Sequence, residues 1–252
     1  MGKRGFTLVE LLNVVAIIAI LSAIFWPVVK AARGAAFRYN AALSMKNLGG
    51  ATDLYMADHD DTYPIAMSWD GYGFRAWFGA AKPEGGYDPK AGILSSYTNG
   101  RAARDLTHEA KEYMGDRSGF GYNWGYLGSD MNDSLDFSAF PNCLRPARAS
   151  EISNPRSVVV FATSAYYFAS WIPGGDGVKY DFGFIDPPKF WYGNPNVDFR
   201  HGDLPAIDAR AETVTPKGTA LFLMSSGAAK ALSPKAVVDE MFERHGRSED
   251  SE

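Results

Sequence analysis

The sequence predicts an α+β protein: one long N-terminal helix, apolar in its first half and amphipathic in its second, packed on an antiparallel β-sheet head with long loops. Three observations carry this reading. Residues 6–29 hold a single ionisable side chain, Glu10. Residues 30–57 then place apolar side chains at roughly helical spacing. Beyond residue 60, the short runs Ser157–Ala162 and Thr219–Met224 read as buried strands, set among most of the chain's 26 glycines and 14 prolines.

The first element is the apolar segment. At roughly 1.5 Å per residue, residues 6–29 rise about 36 Å, enough to cross a bilayer core of about 30 Å with some tilt. Lys3 and Arg4 precede it, and the positive-inside bias keeps that end cytoplasmic. A secretory signal peptide has its small-residue cleavage site after the apolar run; here no such site follows, and the small residue Gly5 lies before it. A carboxylate within an apolar span is costly unless paired, so Glu10 marks function. Pro27 lacks an N–H and clashes with the preceding turn, so a kink or local melting is expected there.

Lys3-Arg4-Gly5-Phe6-Thr7-Leu8-Val9-Glu10 resembles the N-terminal methylation motif of type IV pilins and type II secretion pseudopilins. The resemblance implies a pilin-like fold with a leader at residues 1–5. It also implies cleavage between Gly5 and Phe6 by prepilin peptidase, methylation of the new Phe6 amine, and retention of residues 6–29 as membrane span and filament core. Glu10 and Pro27 stand where the family has those residue types. The partner implied for Glu10 is the Phe6 amine of a neighbouring subunit, a contact that would set register in a filament. The plainer alternative is an ordinary single-pass anchor with Glu10 at the wet interface.

Residues 30–58 form the amphipathic half of the same helix. Ala31, Phe37, Ala41, Met45, Leu48, Leu54 and Tyr55 mark its apolar face, and Lys30, Arg33, Arg38, Lys46 and Asp53 the others. Gly34 and the pair Gly49-Gly50 weaken it, each by up to about 1 kcal/mol relative to alanine. Unbroken from Phe6 to Ala57, the helix would be about 78 Å long.

Asp58-His59-Asp60-Asp61-Thr62-Tyr63-Pro64 ends the helix and opens the head, residues 59–232. With Tyr55 it resembles the Y-x-x-D-x-D-x-x-x-P turn of a large-headed pilin-like family found in planctomycetes and armatimonads. Gly119–Gly128, Glu151–Ala162, and Phe199-Arg200-His201-Gly202 followed by Thr219–Gly227 resemble further segments of that family. Departures are present: Ser226-Gly227-Ala228 replaces its D-G-H ending, Thr163 its closing Asp, and Leu106-Thr107-His108-Glu109 its C-P pair. Any polar cluster those residues build in relatives is expected to be dismantled here. Val178–Ile185 reads as an exposed strand or hairpin arm, and Trp171–Pro195 as a long, subunit-contacting loop. Residues 233–252 read as a short helix capped by Ser233-Pro234, with Val237, Val238, Met241 and Phe242 on one face, then a polar tail from Arg247.

Composition excludes several classes. A net charge of −4 without any Lys/Arg cluster argues against nucleic acid. Cys143 is the only cysteine, so neither an intrachain disulfide nor a cysteine-pair zinc site can form. There is no P-loop, G-x-G-x-x-G after a strand, H-E-x-x-H or nucleophile elbow, and no catalytic residue is assigned. Asp58, Asp60 and Asp61 are the candidates for a hard cation such as calcium, although a solvated helix end explains them without one and the spacing is not an EF-hand. His201, near Asp198 and Asp203, reads as a satisfied loop histidine. The aromatics of Tyr122–Tyr126, Tyr166–Trp171 and Phe190–Tyr192 fit carbohydrate stacking or simple packing.

Two functions compete. In one the chain is a structural subunit, held in the inner membrane with a cytoplasmic N-terminus and a periplasmic head. From there it assembles with itself and other pilins or pseudopilins on an inner-membrane platform, in contact with membrane lipid. In the other it is an anchored head binding carbohydrate or metal, with the N-terminus used only for export. No cofactor is required by the first.

Overall fold

A computed structural model describes residues 7–70, 73–98, 104–130, 144–167, 179–208 and 210–244. Gly5, Phe6, Cys143, the stretch Trp171–Val178 and the tail from Arg247 lie outside the described residues.

Thr7 starts the helix with an extended backbone, and its side chain and Glu10 form a reciprocal capping box. Helix α1 then runs from Leu8 to Asp58, 51 residues. It continues through Pro27 without a break in the helical assignment, so the local melting expected there does not occur. Every residue from 7 to 40 is exposed. Burial begins at Ala41 and recurs at Met45, Leu48 and Thr52, one stripe of the last four turns. The amphipathic face is therefore shorter than the sequence pattern implies: Ala31, Phe37 and Leu54 are exposed, while Ala41, Met45 and Leu48 are core.

The head is a stack of small sheets. Four strands, β1 (Met67–Asp70), β2 (Gly73–Ala76), β3 (Gly79–Ala81) and β4 (Tyr87–Asp88), form an antiparallel meander. Next come β5 (Lys111–Met114), β6 (Phe120–Asn123), β7 (Val159–Thr163), β8 (Tyr166–Tyr167), β9 (Lys179–Phe182) and β10 (Phe184–Ile185). The last four are β11 (Ala206–Asp208), β12 (Thr213–Thr215), β13 (Ala220–Met224) and β14 (Ala229–Leu232). The central sheet has the order β10-β6-β7-β13-β14; β5-β9-β8 form a second sheet and β11-β12 a hairpin. The sheets are mixed rather than purely antiparallel, because β10 pairs with β6, and β5 with β9, in parallel.

Strands β6, β7 and β13 are buried along their whole length, as their apolar runs require. One face, with Val160, Phe161, Leu221 and Leu223, packs against Met45 and Leu48 of α1. The other, with Val159, Ala162, Phe222 and Met224, is covered by Val237, Met241 and Phe242. Each such side chain contributes about 1.5–3 kcal/mol by leaving water. Helix and sheet come so close that a Cβ on Gly49 would stand 2.8 Å from Leu223 Cδ2.

Two expected elements differ. The C-terminal helix is instead two 3-10 turns, Pro234–Ala236 and Asp239–Met241, and the Ser233 side chain makes no capping bond. The β-branched pair Val237-Val238 takes up extended backbone between them, which stops helical propagation. The segment is held by Asn123, whose amide donates to Val159 O at 2.9 Å and Phe242 O at 2.7 Å. Within the expected loop Trp171–Pro195, residues 179–185 are two largely buried strands, not an exposed arm. Gly183 permits the change of sheet between them, since a Cβ there would run into the ring of Phe78.

Candidate functional site

At the N-terminal end, Glu10 Oε2 accepts from Thr7 N at 2.9 Å and Thr7 Oγ1 at 2.7 Å, and Glu10 N donates to Thr7 Oγ1 at 3.3 Å. In the isolated chain this carboxylate thus caps its own helix. The surface that follows is apolar and uncovered: Leu8, Leu12, Ile20, Ile24, Phe25 and Trp26 are each more than half exposed. Length and composition qualify the helix to cross a membrane. Lys30, Arg33 and Arg38 follow on exposed turns.

The acidic turn after α1 is a chain reversal. Asp60 and Asp61 have φ of 51° and 55°, a conformation short polar residues tolerate. Asp61 N reaches back to Met56 O at 2.9 Å, Tyr97 OH donates to Asp58 Oδ2 at 3.1 Å, and His59 stacks on Tyr55. Among the described residues no group of three or more His, Cys, Asp or Glu side chains could hold a metal ion, so Asp58, Asp60 and Asp61 do not converge on one.

Inside the head lies a charged network the sequence did not foretell. Arg200, on the chain between β10 and β13, donates from Nε to Asp105 Oδ2 at 2.8 Å, from Nη1 to Asp198 Oδ2 at 2.7 Å, and from Nη2 to Gly119 O. Lys179 pairs with the same Asp198, and His201 Nε2 stands 3.3 Å from Asp105 Oδ2. Asp105 Oδ1 also accepts from Thr107 N at 2.8 Å and Thr107 Oγ1 at 2.7 Å. Alongside, His108 Nε2 meets Asp181 Oδ1 at 2.7 Å, and Arg117 N donates to Asp181 Oδ2 at 2.6 Å.

Burial opposes ionisation of Asp105, but His201, the Arg200 charge and Thr107 override it and hold the carboxyl well below the ordinary range. Burial likewise opposes ionisation of Asp198, and Arg200 with Lys179 outweigh it. For His108 burial wins over Asp181, lowering its pKa. Burial, aided by the Asp181 charge, pushes Asp116 up to about 7. Arg200, and Lys179 despite the burial that lowers its pKa, face two ionised carboxylates, so the buried charges here are paired. Thr107 and His108 bring the Leu106–Glu109 stretch into this network, through Asp105 and Asp181. His201 is buried beside Asp105 rather than its sequence neighbours, but its Nε2 makes no well-formed hydrogen bond there, unlike the satisfied loop histidine expected.

A second feature is a cavity of about 720 Å³ between the β1–β4 meander and the β5-β9-β8 sheet. Trp69, Phe74 and Tyr87 line one side, and Tyr113, Tyr166 and Phe182 another. Rings pack in contact around it, Trp69 on Phe74 at 5.0 Å and Tyr166 on Phe182 at 4.3 Å. Among the described residues lining it, the one acidic group is Asp186, which accepts from Trp124 Nε1 at 2.6 Å, Asn196 Nδ2 at 2.6 Å and Tyr166 OH at 3.4 Å. Burial raises Asp186 to about 6. Of the aromatics singled out in the sequence, Trp124, Tyr166, Phe190 and Tyr192 line this space, while Tyr122 is core, donating to Pro64 O at 2.9 Å. Trp69, Tyr87, Tyr113 and Asp186 carried no sequence signal; only the fold brings them together.

Residues 1–26 match the family model of the prokaryotic N-terminal methylation motif. No curated protein and no solved structure matches the chain. Motif, long apolar helix and α+β head together support a type IV pilin-like protein that begins as a prepilin-type substrate.

Proposed function

We propose that the chain is a structural subunit, cut by prepilin peptidase between Gly5 and Phe6, methylated on the Phe6 amine, and assembled into a type IV pilus-like filament or type II secretion pseudopilus. The observation that carries this is the uncovered apolar surface of α1 directly behind the methylation motif. In a membrane that surface is solvated by lipid; in a filament it packs against other copies, whose helices replace the lipid. Before assembly the subunit is held in the inner membrane, N-terminus cytoplasmic and head periplasmic, and it is handed to an assembly platform there.

Glu10 has two uses in this scheme. It caps its own helix through Thr7 in the free subunit, and turns to the Phe6 amine of a neighbour on assembly, a charge-assisted bond in an apolar setting. Pro27 weakens the ladder at the point where the span ends, giving the stalk a place to bend during extraction.

A second reading, an anchored head that binds a ligand, has one observation in its favour: the aromatic cavity.

The test is to express the chain with and without a cognate prepilin peptidase and determine the mature N-terminus by intact mass and N-terminal sequencing. A product beginning at methylated Phe6, lost in Gly5→Val, is expected. Retention of residues 1–5 beside an active peptidase overturns the filament reading.

A further inference from the structure

We propose that the aromatic cavity of the head is a binding site for a small organic cation, an alkylated ammonium group held among the rings and neutralised by Asp186. The argument begins with size. About 720 Å³ lies within the roughly 300–1,000 Å³ of small-molecule sites. It continues with the walls. Among the described residues that line it, ten of fourteen are aromatic, three more are Met67, Ala81 and Met114, and the one remaining is Asp186.

Asp186 gives the cavity its sign. Its three hydrogen-bond donors, Trp124, Asn196 and Tyr166, are all neutral. Among the described residues no Lys, Arg or His comes within ion-pair distance of it, in contrast to Asp105 and Asp198. A buried carboxylate with donors but no counter-charge is the costly form of burial, and a ligand cation would complete it. Aromatic rings add the attraction of their electron-rich faces for such a cation, strongest where water is excluded.

Other ligand classes fit less well. An anion would meet Asp186 with like charge. A sugar could use the Tyr hydroxyls of the walls but would bring no charge to Asp186. A purely aliphatic ligand would seal the carboxylate in without neutralising it.

The experiment uses the full chain in maltoside micelles, which carry no cation, with choline and its neutral isostere 3,3-dimethylbutan-1-ol titrated calorimetrically and by tryptophan fluorescence. Choline is expected to saturate and to bind at least tenfold more tightly than the isostere. Asp186→Asn should erase that preference, leaving the isostere unchanged. Because Asp186 also braces the fold, Tyr192→Ala provides a second variant: this side chain is 86% exposed at the rim, its loss leaves the core intact, and choline should bind several-fold more weakly. Glycerophosphocholine in parallel separates sources, since a lipid headgroup site prefers it and a free-cation site prefers choline. No saturable choline binding, equal binding of choline and isostere, or full choline affinity in a folded Asp186→Asn protein would overturn the proposal. None of these outcomes bears on cleavage at Gly5.

Discussion

A Cβ on Gly49 would stand 2.8 Å from Leu223 Cδ2, whereas one on the adjacent Gly50 would meet nothing within 4 Å. Neighbouring glycines in one helix therefore have opposite meanings. Gly49 sets the distance between α1 and β13; Gly50 is a solvent-facing position that only weakens the helix. Gly49→Leu should destabilise the folded head by about 1–3 kcal/mol through overpacking, and Gly50→Ala should stabilise it by up to about 1 kcal/mol. Chemical denaturation of the full chain in micelles, followed by tryptophan fluorescence, checks both signs.

The Arg200 network makes a sharper claim. Arg200→Leu leaves Asp105 without its guanidinium and Asp198 with Lys179 alone, in a site where Arg200 and Asp105 side chains are 5% and 0% exposed. Removing one partner from a buried set costs about 3–5 kcal/mol. The variant should unfold at markedly lower denaturant, or fail to accumulate, while Arg117→Leu, whose pair with Glu112 is exposed, should shift stability by less than about 1 kcal/mol.

Asp116 provides a pH signature. Its folded pKa of about 7 lies above the ordinary value of 3.8, so the folded state keeps a proton that the unfolded chain gives up. Its contribution to stability is full below about pH 4 and is lost as pH rises towards 7. Asp116→Asn keeps an acceptor for Ser118 N and removes the charge. Relative to the parent it should be near neutral at pH 3.5 and more stable at pH 8, by up to about 4 kcal/mol. An equal effect at pH 3.5 and pH 8 would show that Asp116 is ordinary.

Glu10 separates capping from assembly. Glutamine serves the capping box as well as glutamate does, but carries no charge to offer the Phe6 amine of another subunit. Glu10→Gln should leave the cut at Gly5 and the membrane pool intact while abolishing sheared or pelleted filaments. Filaments at parental levels would remove the intermolecular role of Glu10.

The helix and the two principal strands were readable in the sequence because each depends on neighbours in the chain: the unbroken apolar run of residues 6–29, Ala41, Met45 and Leu48 at helical spacing, Val158 to Ala162 as one apolar run. The C-terminal turns were misread because Ser233-Pro234 signals a helix start locally, while Val237 and Val238 decide otherwise by filling the far face of the sheet. The network and the cavity left no local trace. Arg200 and Asp105 are 95 positions apart, and Asp186 lies 62 from Trp124. Each looks like a scattered charge or ring until strands β5 to β10 assemble.

The central sheet ends in strands that discourage strand addition. On one side β10 is two residues long and buried. On the other, β14 carries Lys230, whose ammonium donates to Arg156 O at 3.0 Å and places a charge on the outermost strand. A short or lysine-bearing edge is how sheet proteins avoid joining edge to edge. In the assembly proposed for this chain, that guard would leave copies concentrated side by side with the helix as their route into an ordered polymer, without competition from the edges of the central sheet.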